Sequence, residues 1–270
     1  MWSKENNFGF NNLANEYDSF VRITDYPLDR FIAGKVDYFI TGSNVAAKQL
    51  KKVLQLDDQK IFNIYNGINL RSSTEIKEDT RNRLNIKKGL KVFGVIALLI
   101  PRKGHKVLID AIELIVRSSK NNFIVLIEGS GPLREELENI VSTKNLTQFC
   151  KFIGNENNII DFMSAVDCII LPSIEDEDFP NVILESMGLG KVIVASNLAG
   201  IPEQIIDKKT GFLFRPGDSR NLANIMIDII FENIDIYSIT SASRKRFENN
   251  FTAKLSVKKY IDLYNRITEI

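Results

Sequence analysis

From about Lys35 onward, short apolar runs alternate with longer stretches of helical period, and this alternation constrains the fold more than any other feature of the chain. Runs such as VFGVIA, FIVLI, CIIL and VIVA have the length of strands, and the segments between them repeat their apolar residues at three- and four-residue spacing. That is β–α repetition, in which the strands run parallel and helices cover the sheet. Strands are expected at 36–40, 61–65, 92–97, 123–127, 168–171, 192–195 and 212–214. Helices are expected at 44–54, 106–116, 133–141, 159–164, 181–188 and 221–231. Gly, Pro, Ser or Asn follows most of the strands, as it does where a chain turns into a helix at the carboxyl edge of a sheet. Ligands of such sheets bind at that edge, so the strand-end loops are where chemistry is sought.

The 270 residues are enough for two domains. Between Asn66 and Gly89 the apolar period disappears and charges cluster (NGINLRSSTEIKEDTRNRLNIKKG), which reads as a connection rather than a core element. A boundary near Arg71 then separates residues 1–71, with two convincing strands and the look of half a domain, from residues 72–250, with five strands and their helices. In residues 251–270, Leu255, Tyr260, Ile261, Leu263, Tyr264 and Ile267 follow a period near 3.6. This is the pattern of an amphipathic helix that closes the fold.

Charge and composition exclude several functions. Thirty-five Lys and Arg against 34 Asp and Glu leave a formal charge of +1, with no bulk field to hold a nucleic-acid backbone or an anionic membrane. Lys48, Lys51 and Lys52 on one expected helix admit peripheral contact at the inner face of a membrane or a solvated face; Asp57 and Asp58 just beyond favour the second. No apolar run approaches the ~20 residues of a membrane span, and the first twenty residues lack the pattern of a secretory leader, so a soluble, cytoplasmic protein is expected. Cys150 and Cys168 make neither a disulfide framework nor a zinc site and read as core residues of a protein in a reducing compartment. His105 is the sole histidine, and the chain has neither a Gly-x-Ser-x-Gly elbow nor a Gly-x-x-x-x-Gly-Lys-Ser/Thr phosphate loop. Serine-hydrolase and common nucleoside-triphosphatase chemistries are thereby disfavoured, and no set of metal ligands stands out.

Three strand-end loops carry groups that could act on a ligand. After CIILPS, an acidic run holds Glu177, and the chain continues through Asp178, Phe179, Pro180, Asn181, Val182, Ile183 and Leu184 to Glu185. A carboxylate in the loop and a second inside the following helix would flank a helix N-terminus, which attracts phosphate while carboxylates accept bonds from sugar hydroxyls. The same spacing is also met by an acidic run, Glu175 to Asp178, that is simply solvated at a helix start. After the strand at 92–97, Pro101 is followed by Arg102, Lys103 and Gly104, two cations and a glycine that suit a diphosphate or an ordinary solvated turn. After the strand at 123–127, Gly129-Ser130-Gly131 begins a dinucleotide fingerprint that Arg134 breaks, which counts against a dehydrogenase or epimerase and leaves a tight βα turn.

Taken in order, these segments resemble the nucleotide-sugar-binding half of a family 4 (group 1) glycosyltransferase with the GT-B fold. VDYFITGSN and IYNGINL resemble the end of that family's N-terminal domain, and LLIPRKGHKVLIDAI its first donor-domain strand and helix. LIEGSGPLREELE, FIGN, DCIILPS, EDFPNVILESMGLGKVIVAS, AGIPEQI and TGFLFRPGD follow in the family's order. The resemblance implies an α/β protein with one complete Rossmann-like parallel sheet and a partial N-terminal αβ unit. It also implies transfer of a hexose, with retention of configuration, from a UDP-, GDP- or ADP-sugar to a glycan or lipid-linked acceptor in polysaccharide biosynthesis, without a metal or other cofactor.

Residue by residue, the resemblance puts Lys103, with Arg102, on the donor diphosphate, Glu185 on the nucleotide ribose and Glu177 on the transferred sugar. Backbone amides around Phe179, Pro180, Asn181 and Val182 would face sugar and phosphate, and Phe152, Ile153 and Gly154 would lie beside the nucleobase. Two departures stand out. Ala97-Leu98 occupies the place where many relatives have Gly-Arg, and most of the acceptor-binding domain has no counterpart before Val36. The chain is then either a transferase that works with a separate acceptor-binding subunit or within a longer enzyme, or a non-catalytic module or remnant that binds a sugar nucleotide.

Overall fold

The computed structural model describes residues 25–118, 122–175 and 177–268, and its eight strands lie in two sheets. Helix α1 (Asp25–Gly34) leads into β1 (Phe39–Thr41), α2 (Asn44–Leu54) and β2 (Ile61–Asn63). The two strands pair in parallel as a small first sheet. Leu50, Leu54 and Leu56 form its core with Ala33.

The second sheet has six parallel strands in the order β5-β4-β3-β6-β7-β8: β3 (Lys91–Ile96), β4 (Phe123–Glu128), β5 (Cys150–Gly154), β6 (Cys168–Leu171), β7 (Val192–Ser196) and β8 (Phe212–Phe214). β6 is buried throughout, as parallel strands covered on both faces are. One layer contains α4 (His105–Arg117), α5 (Arg134–Thr143) and α9 (Ser219–Ile230). Leu108, Ile112, Leu222 and Met226 from this layer meet Phe93, Val125 and Val194 of the sheet. Each such side chain, wholly withdrawn from water, contributes about 2 kcal/mol. On the opposite face lie α6 (Ile159–Ala165), α7 (Asn181–Gly188) and the single turn α8 (Ile201–Gln204), packed through Phe162, Met163, Ile183, Leu184 and Ile201.

Three differences from the sequence reading have physical causes. The second sheet has six strands rather than five, because β5 is an edge strand with only Cys150 buried, so residues 150–154 lack the apolar run of a central strand. The stretch 66–89 is not a bare connection. It contains α3 (Lys77–Arg83), and Leu84 and Ile86 just beyond it join the core beside Phe162 and Met163. The surface of α3 is charged, Lys77 and Arg81 both pairing with Asp167 at 2.8 and 2.9 Å, and this conceals its buried side in the sequence. A further helix, α10 (Ile236–Asn250), precedes the C-terminal helix α11 (Ala253–Thr268). β1 and β2 are also shorter than expected.

Helix α11 returns to the first sheet. The Arg266 guanidinium lies 5.9 Å from the Phe62 ring centre and the Lys259 ammonium 5.6 Å from that of Tyr65, while Val257, Ile261 and Tyr264 stay more than half exposed. Both cysteines are free and buried, and burial pushes the Cys150 thiol up to about 12. On α2, Lys51 pairs with Asp58 at 2.5 Å, as a solvated face would have it. Among the described residues no helix is long and apolar enough to cross a membrane.

Candidate functional site

After β3 the chain builds the sheet in one direction, through β4 to β5; after β6 it builds in the other, through β7 to β8. The loops leaving β3 and β6 therefore diverge, and the crevice between them at the carboxyl edge is the position at which open α/β sheets bind their ligands.

Both expected charged groups stand in that crevice. The loop after β3 closes in a single turn, Pro101–Lys103, and Gly104 follows in the left-handed region (φ 69°). A Cβ on Gly104 would lie 1.8 Å from the Pro172 carbonyl oxygen, so only glycine lets the two loops meet. They are joined there by the Ile174 amide, which donates to the Arg102 carbonyl at 2.8 Å. Across this seam Lys103 Nζ pairs directly with Glu177 Oε1, and Ser173 Oγ donates to the same oxygen at 2.7 Å. Glu177 is only 7% exposed and Ser173 is fully buried. Arg102 is half-buried on the same turn.

The next residues turn from the loop into α7. Phe179 is buried, its ring stacked on that of Tyr65 with centroids 5.0 Å apart and set edge-on to Phe251. Its side chain thus serves packing, and the backbone of 179–182 is what remains for the crevice. Pro180 is the N-cap of α7, and among the described residues no side chain caps this helix end. Asn181 is exposed and Val182 half-buried. Glu185, one turn into α7, is half-buried. Its burial raises the carboxyl above the usual carboxylate range, and the charge of Arg71 opposes the rise.

Phe152, Ile153 and Gly154 end β5, two strands and about 10 Å to the side of β3. The Gly154 carbonyl accepts from the Gly129 amide at 2.9 Å, which holds the glycine turn after β4 against them, and the Arg134 guanidinium lies 5.8 Å from the Phe152 ring centre. The structure thus brings Lys103 and Glu177 into contact, with Glu185 one turn into the helix that follows. Leu98, where an arginine was expected from the resemblance, is 56% exposed.

Sequence reasoning missed Ser173 and Arg71. Ser173 closes the CIILPS run and its place at a strand end was a usable signal; Arg71 has no local signal, and it approaches Glu185 because Leu70 packs onto Gly188 of α7. A third missed group is Glu203, whose carboxylate accepts from the amides of Asn44 and Val45 at 2.9 Å and from the Tyr65 hydroxyl at 2.9 Å. It therefore caps α2 from the second sheet's side. Chemically, the crevice offers two cations and a helix N-terminus to an anion, and two carboxylates to hydroxyl groups.

The parallel sheet with its switch-point crevice defines an open α/β protein, and comparison with known proteins identifies the family. The family described as glycosyl transferases group 1 matches residues 76–252, and the chain belongs to it. The amylovoran biosynthesis glycosyltransferase AmsK of Erwinia amylovora is 26% identical over 66% of this chain and 45% of its own. An uncharacterized glycosyltransferase of Methanocaldococcus jannaschii, MJ1069, is 27% identical over 90% of this chain and 62% of its own. The chain thus spans about half to three fifths of the length of these relatives. Anabaena HepE, solved in complex with UDP, superposes with a TM-score of 0.83 at 23% identity, over 95% of this chain and 70% of that one. The fold is that of the GT-B glycosyltransferases.

Proposed function

We propose that this chain carries the donor site of a retaining hexosyltransferase that takes its sugar from a UDP-, GDP- or ADP-sugar and passes it to a glycan or lipid-linked acceptor. The observation that carries the proposal is the Lys103–Glu177 contact at the switch point, with Glu185 on α7, the helix that follows the Glu177 loop. In this reading Lys103, with Arg102 beside it, opposes the charge of the diphosphate, and the N-terminal amides of α7 add partial positive charge. Glu177 accepts hydrogen bonds from the sugar hydroxyls and Glu185 from the ribose. The base lies against Phe152, Ile153 and Gly154. When the bond between the sugar C1 and the phosphate oxygen breaks, the nucleoside diphosphate leaves with the electron pair. An acceptor hydroxyl forms the new bond to C1, and its proton passes to the departing phosphate oxygen. UDP is a natural first candidate, since HepE was solved with it.

The same reading divides the chain near Arg71, with the acceptor approaching from the side of the first sheet and a second subunit or domain completing that side. Slow release of nucleoside diphosphate from UDP-, GDP- or ADP-glucose tests it. Release by the intact chain that falls at least about tenfold in Lys103→Ala supports the assignment. Release that is unaffected by that substitution contradicts it.

A further inference from the structure

Resting on the donor-site reading above, we infer that Ser43 and Asp178 form a latch by which the unit of the first sheet positions Glu177 and the backbone at the start of α7. Ser43 ends the loop after β1 and is fully buried. Its hydroxyl donates to Asp178 Oδ1 and accepts from the Ala46 amide at 3.0 Å, so one side chain both caps α2 and grips the residue next to Glu177. The Thr41 hydroxyl donates to the Ser43 carbonyl at 3.0 Å and fixes the loop that presents it.

A third segment shuts this contact in. A Cβ on Gly200 would lie 2.1 Å from the Asp178 carbonyl oxygen and 3.1 Å from the Ser43 Cβ, so glycine is what lets the three backbones converge. Glu203 and Gln204 follow. Glu203 accepts from the first two amides of α2, and Gln204 Nε2 donates to the Pro180 carbonyl at 3.1 Å. Four successive residues of the loop are consequently each held by a different group. Glu177 is held by Lys103 and Ser173, Asp178 by Ser43, Phe179 by Tyr65 and Pro180 by Gln204. The holders of Asp178 and Phe179 come from the first unit, so a displacement of that unit is transmitted to the residue beside Glu177 without an intermediary. Ser43 and Asp178 are positioning residues and need not touch the donor.

The variants are Ser43→Gly, which keeps a residue tolerated at a helix N-cap, Asp178→Ala, and the two combined. Hydrogen exchange of the unliganded chain over residues 173–184 should quicken about tenfold in each single variant, the effect of losing one hydrogen bond to a charged group, and no further in the double. Unchanged exchange in either single variant, or effects that multiply in the double, would overturn the latch. Calorimetry with UDP and UDP-glucose then tests its purpose. Each variant should lose about tenfold in affinity for UDP-glucose relative to UDP, because the sugar faces Glu177 whereas the ribose faces Glu185. An equal loss for both probes, or none for either, would contradict the positioning role. A wild-type chain that binds none of UDP-, GDP- or ADP-glucose would overturn the donor reading itself, and the exchange measurement still decides the latch.

Discussion

Lys103 and Glu177, 74 residues apart in the chain, form a buried ion pair across the seam between the loops that follow β3 and β6. Before a donor can bind in the proposed manner, this pair must loosen so that Lys103 reaches phosphate and Glu177 reaches sugar. Removing Lys103 alone strands a buried carboxylate, which costs about 3 kcal/mol, whereas Lys103→Met with Glu177→Gln removes both charges and should cost less than about half of that. Urea unfolding of the two variants measures the difference. Equal destabilisation would mean that the pair is well solvated in solution.

His105 opens α4 fully buried, and neither ring nitrogen has a hydrogen-bond partner among the described residues. Burial, with the Lys103 charge nearby, lowers its pKa from 6.5 to about 4. Between these values the unfolded chain binds a proton that the folded chain does not, so stability should fall by about 3 kcal/mol as pH drops from 6.5 to 4 and level off below. His105→Leu should flatten this window and leave stability at pH 7 unchanged or higher, since both orphaned nitrogens disappear. A slope that survives the substitution would assign it to other groups.

Asp161 acts in the same direction at lower pH. Its carboxylate accepts from the hydroxyls of Ser73 and Thr74 and from the amides of Thr74 and Glu75, at 2.6 to 3.1 Å. These bonds, led by that from Ser73, hold it below the usual carboxylate range. It therefore stabilises the fold fully above its ordinary value of 3.8, and this contribution is lost as pH falls through the lower folded-state value. Acid unfolding monitored by circular dichroism should start at a higher pH in Asp161→Ala, because the segment entering α3 loses its anchor at every pH. An unmoved acid transition would show that residues 73–75 are held by other means.

Leu98 is an exposed apolar residue on the loop after β3, at the position where the resemblance expects a cation. Leu98→Arg should strengthen UDP binding about fivefold at low salt and less at high salt, as a partly exposed phosphate contact does. Calorimetry at two salt concentrations reads this directly, and an unchanged affinity at both would place position 98 away from the diphosphate.

How much could be read from the sequence depended on whether a residue's role left a periodic trace. β6 and β8, and helices α2 and α7, fall on the expected residues because apolar runs or stripes there stop at clear turn residues. β5 and α3 left no such trace, one because it is a half-buried edge strand, the other because its charged face outweighs Thr80, Leu84 and Ile86. Lys103 and Glu177 could be singled out because the loops that leave strands at a parallel sheet's carboxyl edge are few and both residues lie in such loops. Ser43 and Asp178, 135 residues apart, could not, since a single hydrogen bond between two loops has no period.

The measurement that bears most directly on the donor assignment is calorimetric titration of the intact chain with UDP, GDP and ADP, repeated with Glu185→Ala. One nucleotide should bind, and the substitution should weaken it by about tenfold or more through loss of the hydrogen bonds that a carboxylate makes to ribose. Binding that is indifferent to Glu185, or no binding of any of the three by the folded chain, would contradict the assignment of the crevice between β3 and β6 as a sugar-nucleotide site.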